Sequence, residues 1–466
     1  MTGILGILLA LCLLMALAYR GISVLILAPL MALLAALLSP GTPLLASYTQ
    51  VFMPALGGFI VAFFPLFLLG AVFGKLMEDS GAARVIAHGI VAWLGAQRAI
   101  LAIVLACAVL TYGGVSLFVV AFAVYPIAAA LFRQADIPKR LIPGTIALGA
   151  FTFTMTALPG TPAIQNAIPM PYFGTTPFAA PGLGVIGGAV MAVFGLLWLQ
   201  RRARLARAAG EGYGNHDEPP TAGAATPGLT PAGGDLLRAL APVALVIVLN
   251  YALATWWLPA MDTSYLAEIR YGSTDINRVR GIWAVIVALC AAIAVIMVLQ
   301  RKRLNHLGQS LEQGASGSVM PLLNTASQVG FGAVIASLAG FVLIRDAVLG
   351  IAPDNPLISM SIAVNILAGI TGSASGGMSI ALQTLGETWL AMGQAAGIAP
   401  DLLHRVTAIA TGGLDALPHN GAVITLLGIC GLSHRQSYTD IFVVAVAIPL
   451  LALVAVVLLG SGLGSF

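Results

Sequence analysis

The chain has 466 residues, of which 59% are hydrophobic and only 8% charged, with a formal net charge of +4. A soluble chain carries about a quarter charged residues. A water-facing surface cannot be assembled from this supply, and nucleic-acid binding, coiled coil and disorder are excluded together. The four cysteines, Cys12, Cys107, Cys290 and Cys430, all lie in apolar stretches and read as small hydrophobes rather than a disulfide or metal framework. No metal or cofactor is expected.

A membrane-crossing helix takes about 20 apolar residues. In chain order the sequence predicts spans over roughly 3–19, 21–38 and 51–76, then a broken pair over 99–112 and 117–132, then 141–157 and 182–200. After a gap it predicts 236–258, 281–300 and 319–344, a second broken pair over 357–371 and 376–396, and finally 402–433 and 439–460. The first run is too long, and passes too directly into the second, for a cleaved signal peptide. Between the two sets, residues 201–235 are basic and then rich in Gly, Pro and Ala; they read as a cytoplasmic linker that packs no core. His216 within it is expected to be a solvated loop histidine.

Basic residues in the loops orient a polytopic chain. With Arg201, Arg202, Arg204 and Arg207 in the cytoplasm, all but five of the 21 Lys and Arg fall on the inner side. The outer five are Arg270, Arg278, Arg280, Arg345 and Arg405. Both termini are then outside. Lys75 with Glu78, and Arg345 with Asp346, read as ion pairs at span ends.

The linker separates two halves, 1–200 and 236–466, that repeat the same punctuation. Each has three spans ending in a charge, then an apolar pair broken by a glycine-serine tip: Gly113-Gly114-Val115-Ser116 in one, Gly372-Ser373-Ala374-Ser375-Gly376-Gly377 in the other. Each next has a span ending in Ala-Leu-Pro, at 157–159 and 416–418. The charge rule brings the first hairpin, near 99–132, in from the cytoplasm and the second, near 357–396, from outside. The fold class predicted is an all-α polytopic membrane protein built from two inverted-topology repeats, with re-entrant hairpins and discontinuous helices, as in secondary transporters.

Irregular backbone at membrane depth is tolerated only where protein or a wet cavity satisfies it. Two tips and two breaks are therefore expected to meet in a midplane pocket where free helix N-termini favour an anion. The candidate substrate-binding residues are Gly113, Gly114, Ser116, Thr161, Asn166, Ser373, Ser375, Gly376, Gly377 and Asn420. The serines and threonines have an alternative use, bonding back to helix carbonyls. Asp415 and His419 bracket the second break; ionisable groups at membrane depth are functional by default, and these two are the candidates for proton coupling. A structural pairing is the alternative for both. Asn324 and Gln328, one turn apart, either glue helices or line the path.

On these residues the chain resembles the gluconate:proton symporter (GntP-type permease) family, within the ion transporter superfamily. The resemblance spans the whole chain and is carried by Gly113-Gly114, by Leu158-Pro159-Gly160-Thr161-Pro162-Ala163-Ile164, and by His419-Asn420 followed by Gly431-Leu432-Ser433. It implies uptake of a small organic acid such as gluconate or 3-hydroxybutyrate, usually with protons, in the bacterial inner membrane. It also implies a homodimer with a scaffold and a moving, elevator-type transport domain. His419 occupies the family's histidine position. Gluconate permeases carry a further histidine near the first proline break and an Asn-Asp pair after the second histidine. Here those places read Pro159-Gly160-Thr161 and His419-Asn420-Gly421, which implies a less hydroxylated acid.

The leading expectation is thus a non-enzymatic carrier of a small organic anion, coupled to protons and embedded in the lipid bilayer. Sodium is the rival coupling cation: Asn166, Asn420, the tip serines and free carbonyls make an oxygen cage without a titrating group. A reading of another class is an intramembrane serine hydrolase with Ser375 as nucleophile and His419 as base. Against it, Ser373 stands where a Gly-x-Ser-Gly signature needs its first glycine.

Overall fold

Long runs of Leu, Ala, Val and Ile give a chain in lipid one economical way to satisfy its backbone, the α-helix, whose hydrogen bonds close within the segment. The computed structural model describes residues 2–214 and 233–466, and every regular element among them is helical. The first half comprises α1 (Thr2–Tyr19), α2 (Val24–Leu37), α3 (Leu44–Asp79), α4 (Ala82–Leu94), α5 (Ala99–Tyr112), α6 (Leu117–Gln134), α7 (Ile142–Ala150), α8 (the turns Ile164–Ala167 and Pro169–Phe173) and α9 (Pro181–Ala208). The second comprises α10 (Gly234–Ala260), α11 (Ile276–Leu299), α12 (Leu307–Ser337), α13 (Phe341–Leu349), α14 (Pro356–Thr371), α15 (Ala374–Ala395), α16 (Pro400–Thr411), α17 (Gly421–Cys430) and α18 (His434–Leu463).

Each helix of the first half has its counterpart nine places later, and the packing obeys that exchange. α3 packs on its counterpart α12, and α9 on its counterpart α18. α2 packs on α12 as α11 packs on α3; α10 touches α4 as α1 touches α13. α17 lies along α6 as α8 lies along α15.

Among the described residues seven helices are long and apolar enough to cross a membrane: α3, α6, α9, α10, α11, α12 and α18. α4 and α5 form an eighth apolar stretch, bent by 104°. The remaining apolar helices, α1, α2, α14 and α17, are shorter. α14 and α17 are short because each ends or begins at a tip or break.

Several boundaries differ from the sequence expectation. The span expected over 319–344 is divided: α12 begins earlier, at Leu307, and stops at Ser337. There the chain turns so that Gly340 meets the backbone of α1; a Cβ on it would stand 2.8 Å from Gly3. The arginines 201–207, expected to open the linker, prolong α9 to Ala208, since Ala, Arg and Leu are strong helix formers. Residues 215–232, with His216, lie outside the described residues. Arg405, counted from the sequence among the solvent-side charges at the outer end of the span 402–433, is a correction: it sits inside α16 with 0% exposure, because backbone carbonyls close around its guanidinium. The ion pairs at span ends are present, Lys75 with Glu78 at 3.6 Å and with Asp79 at 2.9 Å, and Arg345 with Asp346 at 2.9 Å.

Candidate functional site at the hairpin tips and helix breaks

The first tip joins α5 to α6. Gly114 has φ +94°, a conformation that a Cβ opposes, and a Cβ there would also stand 2.9 Å from Pro162 of the first break. Gly113 lies against Val243 of α10 with no room for a side chain. Ser116 is half-buried at the start of α6, and its hydroxyl does not cap that helix.

The first break runs from Phe151 to Ala163, interrupted by the single turn Phe153–Thr156. Its backbone groups are satisfied from inside the protein, as irregular backbone at this depth requires. The Tyr112 hydroxyl donates to Pro159 O at 2.6 Å, Asn250 Nδ2 to Gly160 O at 3.1 Å, and Gly160 N–H to Pro177 O at 2.8 Å. Thr152, Thr154 and Thr156 bond back to carbonyls of their own segment, the helix-internal use weighed from the sequence. The Thr161 hydroxyl accepts from Ala163 N–H at 3.3 Å.

Asn166 is fully buried and fully engaged. Its Nδ2 donates to Thr161 O (3.0 Å) and Pro177 O (2.9 Å), and its Oδ1 accepts from Arg405 Nη1 (3.1 Å). His404 Nε2 lies 3.1 Å from the same Oδ1, and its Nδ1 lies 2.6 Å from the Thr175 hydroxyl; a neutral ring with its proton on Nε2 satisfies both. Arg405 also donates to Ala179 O from Nε at 2.9 Å and Nη2 at 2.7 Å, and to Pro177 O at 3.2 Å. None of the ion pairs among the described residues involves Arg405. It is a buried cation held by neutral oxygens, and it bolts α16 to the segment after the first break.

The second tip joins α14 to α15. Ser373 caps α15, its hydroxyl accepting from Gly376 N–H at 3.2 Å. Ser375 Oγ lies 3.4 Å from Ser373 Oγ and 3.2 Å from Thr325 Oγ1 of α12. A Cβ on Gly377 would fall on the backbone of Ala368, and one on Gly376 would take the place of the Gln328 side-chain amide. These two glycines let α14 and α12 close on the tip. Asn324, one turn from Gln328, instead accepts from Leu25 N–H at 3.2 Å and joins α12 to α2.

At the second break Asn420 is the organiser. Its Oδ1 accepts from Ala422 N–H (2.6 Å) and Val423 N–H (3.1 Å), capping α17, while its Nδ2 donates to Gly372 O (2.9 Å) and Asp415 O (2.7 Å). His419 Nε2 lies 2.9 Å from Gly369 O, so that nitrogen carries the proton. Asp415 is half-buried beside this turn.

Tip and break touch within each half, and the halves cross over. Tyr125 of α6 donates to Cys430 O at the end of α17 (3.4 Å), and Tyr172 of α8 to Gln383 of α15 (3.3 Å). Tyr125 and Tyr172 each lie eight residues into their helix, Cys430 and Gln383 each nine, which sets the paired helix starts side by side. Five of the six buried side-chain atoms without a hydrogen-bond partner among the described residues ring this region: Thr111 Oγ1, Gln165 Oε1, Asn250 Oδ1, Gln328 Oε1 and Ser379 Oγ. Buried polar atoms are normally paired, and these five belong to the segments that form or touch the tips and breaks. Thr111, Tyr112, Asn250, Thr325 and the Arg405–His404 pair were not among the site candidates read from the sequence. The signal for Asn250 was available, a lone amide in the apolar run Leu245–Ala254.

Among known proteins, the profile of the GntP family permeases matches residues 1–460. The chain is 47% identical over 447 residues to the uncharacterized transporter YxjC of Bacillus subtilis strain 168, covering 94% of each chain. In structure it resembles the YdaH transporter of Alcanivorax borkumensis, whose crystal structure is described as revealing an unusual topology. The TM-score is 0.56 at 14% identity, over 99% of this chain and 98% of that one; at that identity the likeness speaks for the fold alone.

Proposed function

Because the chain belongs to the GntP permease family, and is therefore a multi-pass membrane transporter, we propose that it takes up a small organic anion, gluconate-like or a short hydroxy acid, by proton symport. What supports this reading is that a glycine-serine tip meets a helix break within each half, and that Arg405, buried beside the first break, forms no ion pair among the described residues. Helix starts and a buried guanidinium set a positive potential that favours an anionic guest. The substrate contacts are Ser116, Ser375 and the backbone about Gly114, Gly376 and Thr161. Asn166 and Asn420, whose polar atoms are engaged, shape the pocket. Ser375→Ala is expected to weaken substrate binding about tenfold, the effect of losing one hydrogen bond to a charged group.

His419 and Asp415 carry the proton: both belong to the second break, where a change at the tip alters their surroundings. Uptake into proteoliposomes should follow an inward pH gradient in sodium-free buffer and lose that drive in His419→Ala. Uptake that needs sodium and ignores pH would replace the proton by sodium; the neutral oxygens of Thr111, Gln165, Gln328 and Ser379 favour that second reading.

Each half, with three crossings, a hairpin, a broken crossing and a final crossing, passes the bilayer an odd number of times. The second half is therefore inverted relative to the first, in a homodimer of the bacterial inner membrane that moves its hairpin domain as an elevator. Both termini lie outside. A cysteine at position 225 should resist impermeant reagent in intact cells; ready labelling would overturn this topology.

A further inference from the structure

Away from the tips, a cavity of about 470 Å³ opens beside the linker-side end of α9, between that helix, the turn before α5 and the α6–α7 connection. Arg98, Arg204 and Arg207 line it together with Ile100, Leu101 and Ile137. None of the three arginines forms an ion pair with a described residue. Among the described residues, the acids of the neighbouring segments are already committed. Glu211 holds Arg140 at 2.7 Å, Asp136 accepts from Tyr213 N–H at 3.0 Å, and Asp440, 1% exposed, is shared by Arg202 at 2.9 Å and Arg140 at 3.3 Å. Three guanidiniums therefore line one hollow together with Gln97, Gln200 and the aliphatic Ile100, Leu101 and Ile137. A free dissolved anion has no use for the aliphatic part of that lining; a phosphate that carries acyl chains does. The apolar surface continues outward, with Leu197 and Leu205 of α9 about half exposed.

We propose that this cavity binds the phosphate of an anionic phospholipid from the leaflet on the linker side, its acyl chains lying against Leu101 and the exposed Leu197 and Leu205. Guanidinium suits phosphate because its planar fork meets two oxygens at once. Occupancy ties α9 to the start of the first hairpin. This inference is independent of the substrate assigned above.

The test is native mass spectrometry of the purified full-length protein in neutral detergent, titrated with phosphatidylglycerol, phosphatidylcholine or inorganic phosphate. Each arginine near an anionic lipid surface is worth about a fivefold change in affinity. Arg204→Gln should therefore weaken phosphatidylglycerol binding about fivefold, and the triple Gln variant at 98, 204 and 207 about a hundredfold, with phosphatidylcholine binding unchanged. Arg201→Gln, on the same helix but outside the cavity, should retain wild-type binding. The proposal fails if the triple variant holds phosphatidylglycerol as wild type does, if the two lipids bind equally, or if Arg201→Gln loses as much as Arg204→Gln. Displacement of phosphatidylglycerol by millimolar inorganic phosphate would make this a soluble-anion site and refute the lipid.

Discussion

Asn420 offers the most quantitative test of how the second tip and second break hold each other. Its side chain performs two separable tasks, capping α17 through Oδ1 and donating through Nδ2 to Gly372 O and Asp415 O. Loss of an N-cap costs about 1 kcal/mol. Each buried carbonyl left without its donor costs about 1 kcal/mol or more. Asn420→Ala should thus lower the unfolding free energy by about 3 kcal/mol. Asn420→Ser keeps a cap oxygen but cannot reach the carbonyls, and should cost about 2 kcal/mol on the same count. Asn420→Asp keeps the cap and a charge that suits a helix start, yet it sets a carboxylate oxygen against two carbonyls that stand 2.7 and 2.9 Å from Nδ2. It should be no better than Ala. The assay is reversible chemical unfolding in detergent, with substrate uptake measured on the same preparations. The order Asn, Ser, then Ala and Asp together is the signature of a residue that both caps and bridges. An Ala variant within experimental error of wild type, or an Asp variant as stable as Ser, would refute the reasoning.

Further outcomes follow from other contacts. Gly377→Ala places a methyl on the Ala368 backbone, which cannot rotate away; the arms of the second hairpin must splay, and uptake should fall well beyond the loss in Gly421→Ala, where a Cβ meets open space. Arg405→Gln takes both donors from the buried Ala179 carbonyl and one each from Pro177 O and Asn166 Oδ1, and should destabilise by about 3 kcal/mol or more, as broken buried networks do, with Arg405→Lys intermediate; equal thermal stability of wild type and the Gln variant would show that the bolt is dispensable. Glu211, outside the spans, is held below the ordinary carboxylate range by its hydrogen bond from Arg140. A lowered carboxyl pKa contributes fully above the unfolded value and is lost as pH falls through the folded one. Docking of residues 209–213 should therefore be indifferent to pH near neutrality and loosen only in acid, seen as faster proteolysis there; Glu211→Gln should abolish the pH dependence.

Much was legible in the residues themselves. Low charge and long apolar runs dictate membrane helices because the bilayer offers no other partner for the backbone. The recurrence of glycine-serine tips and Ala-Leu-Pro breaks announced two halves, since glycine and proline mark where helices cannot continue. What only the tertiary structure decided is which polar atoms are already taken. Asn166 and Asn420 read from the sequence as ligands for a guest, yet each spends its amide on protein carbonyls, because a broken helix leaves backbone groups that its neighbours must satisfy. Arg405 read as an outer-side charge at a span end, yet it is buried, because carbonyls of residues 177 and 179, more than 220 positions away, close around it. Sequence patterns report local backbone preference; hydrogen-bond saturation depends on partners that only the folded chain brings within 3 Å.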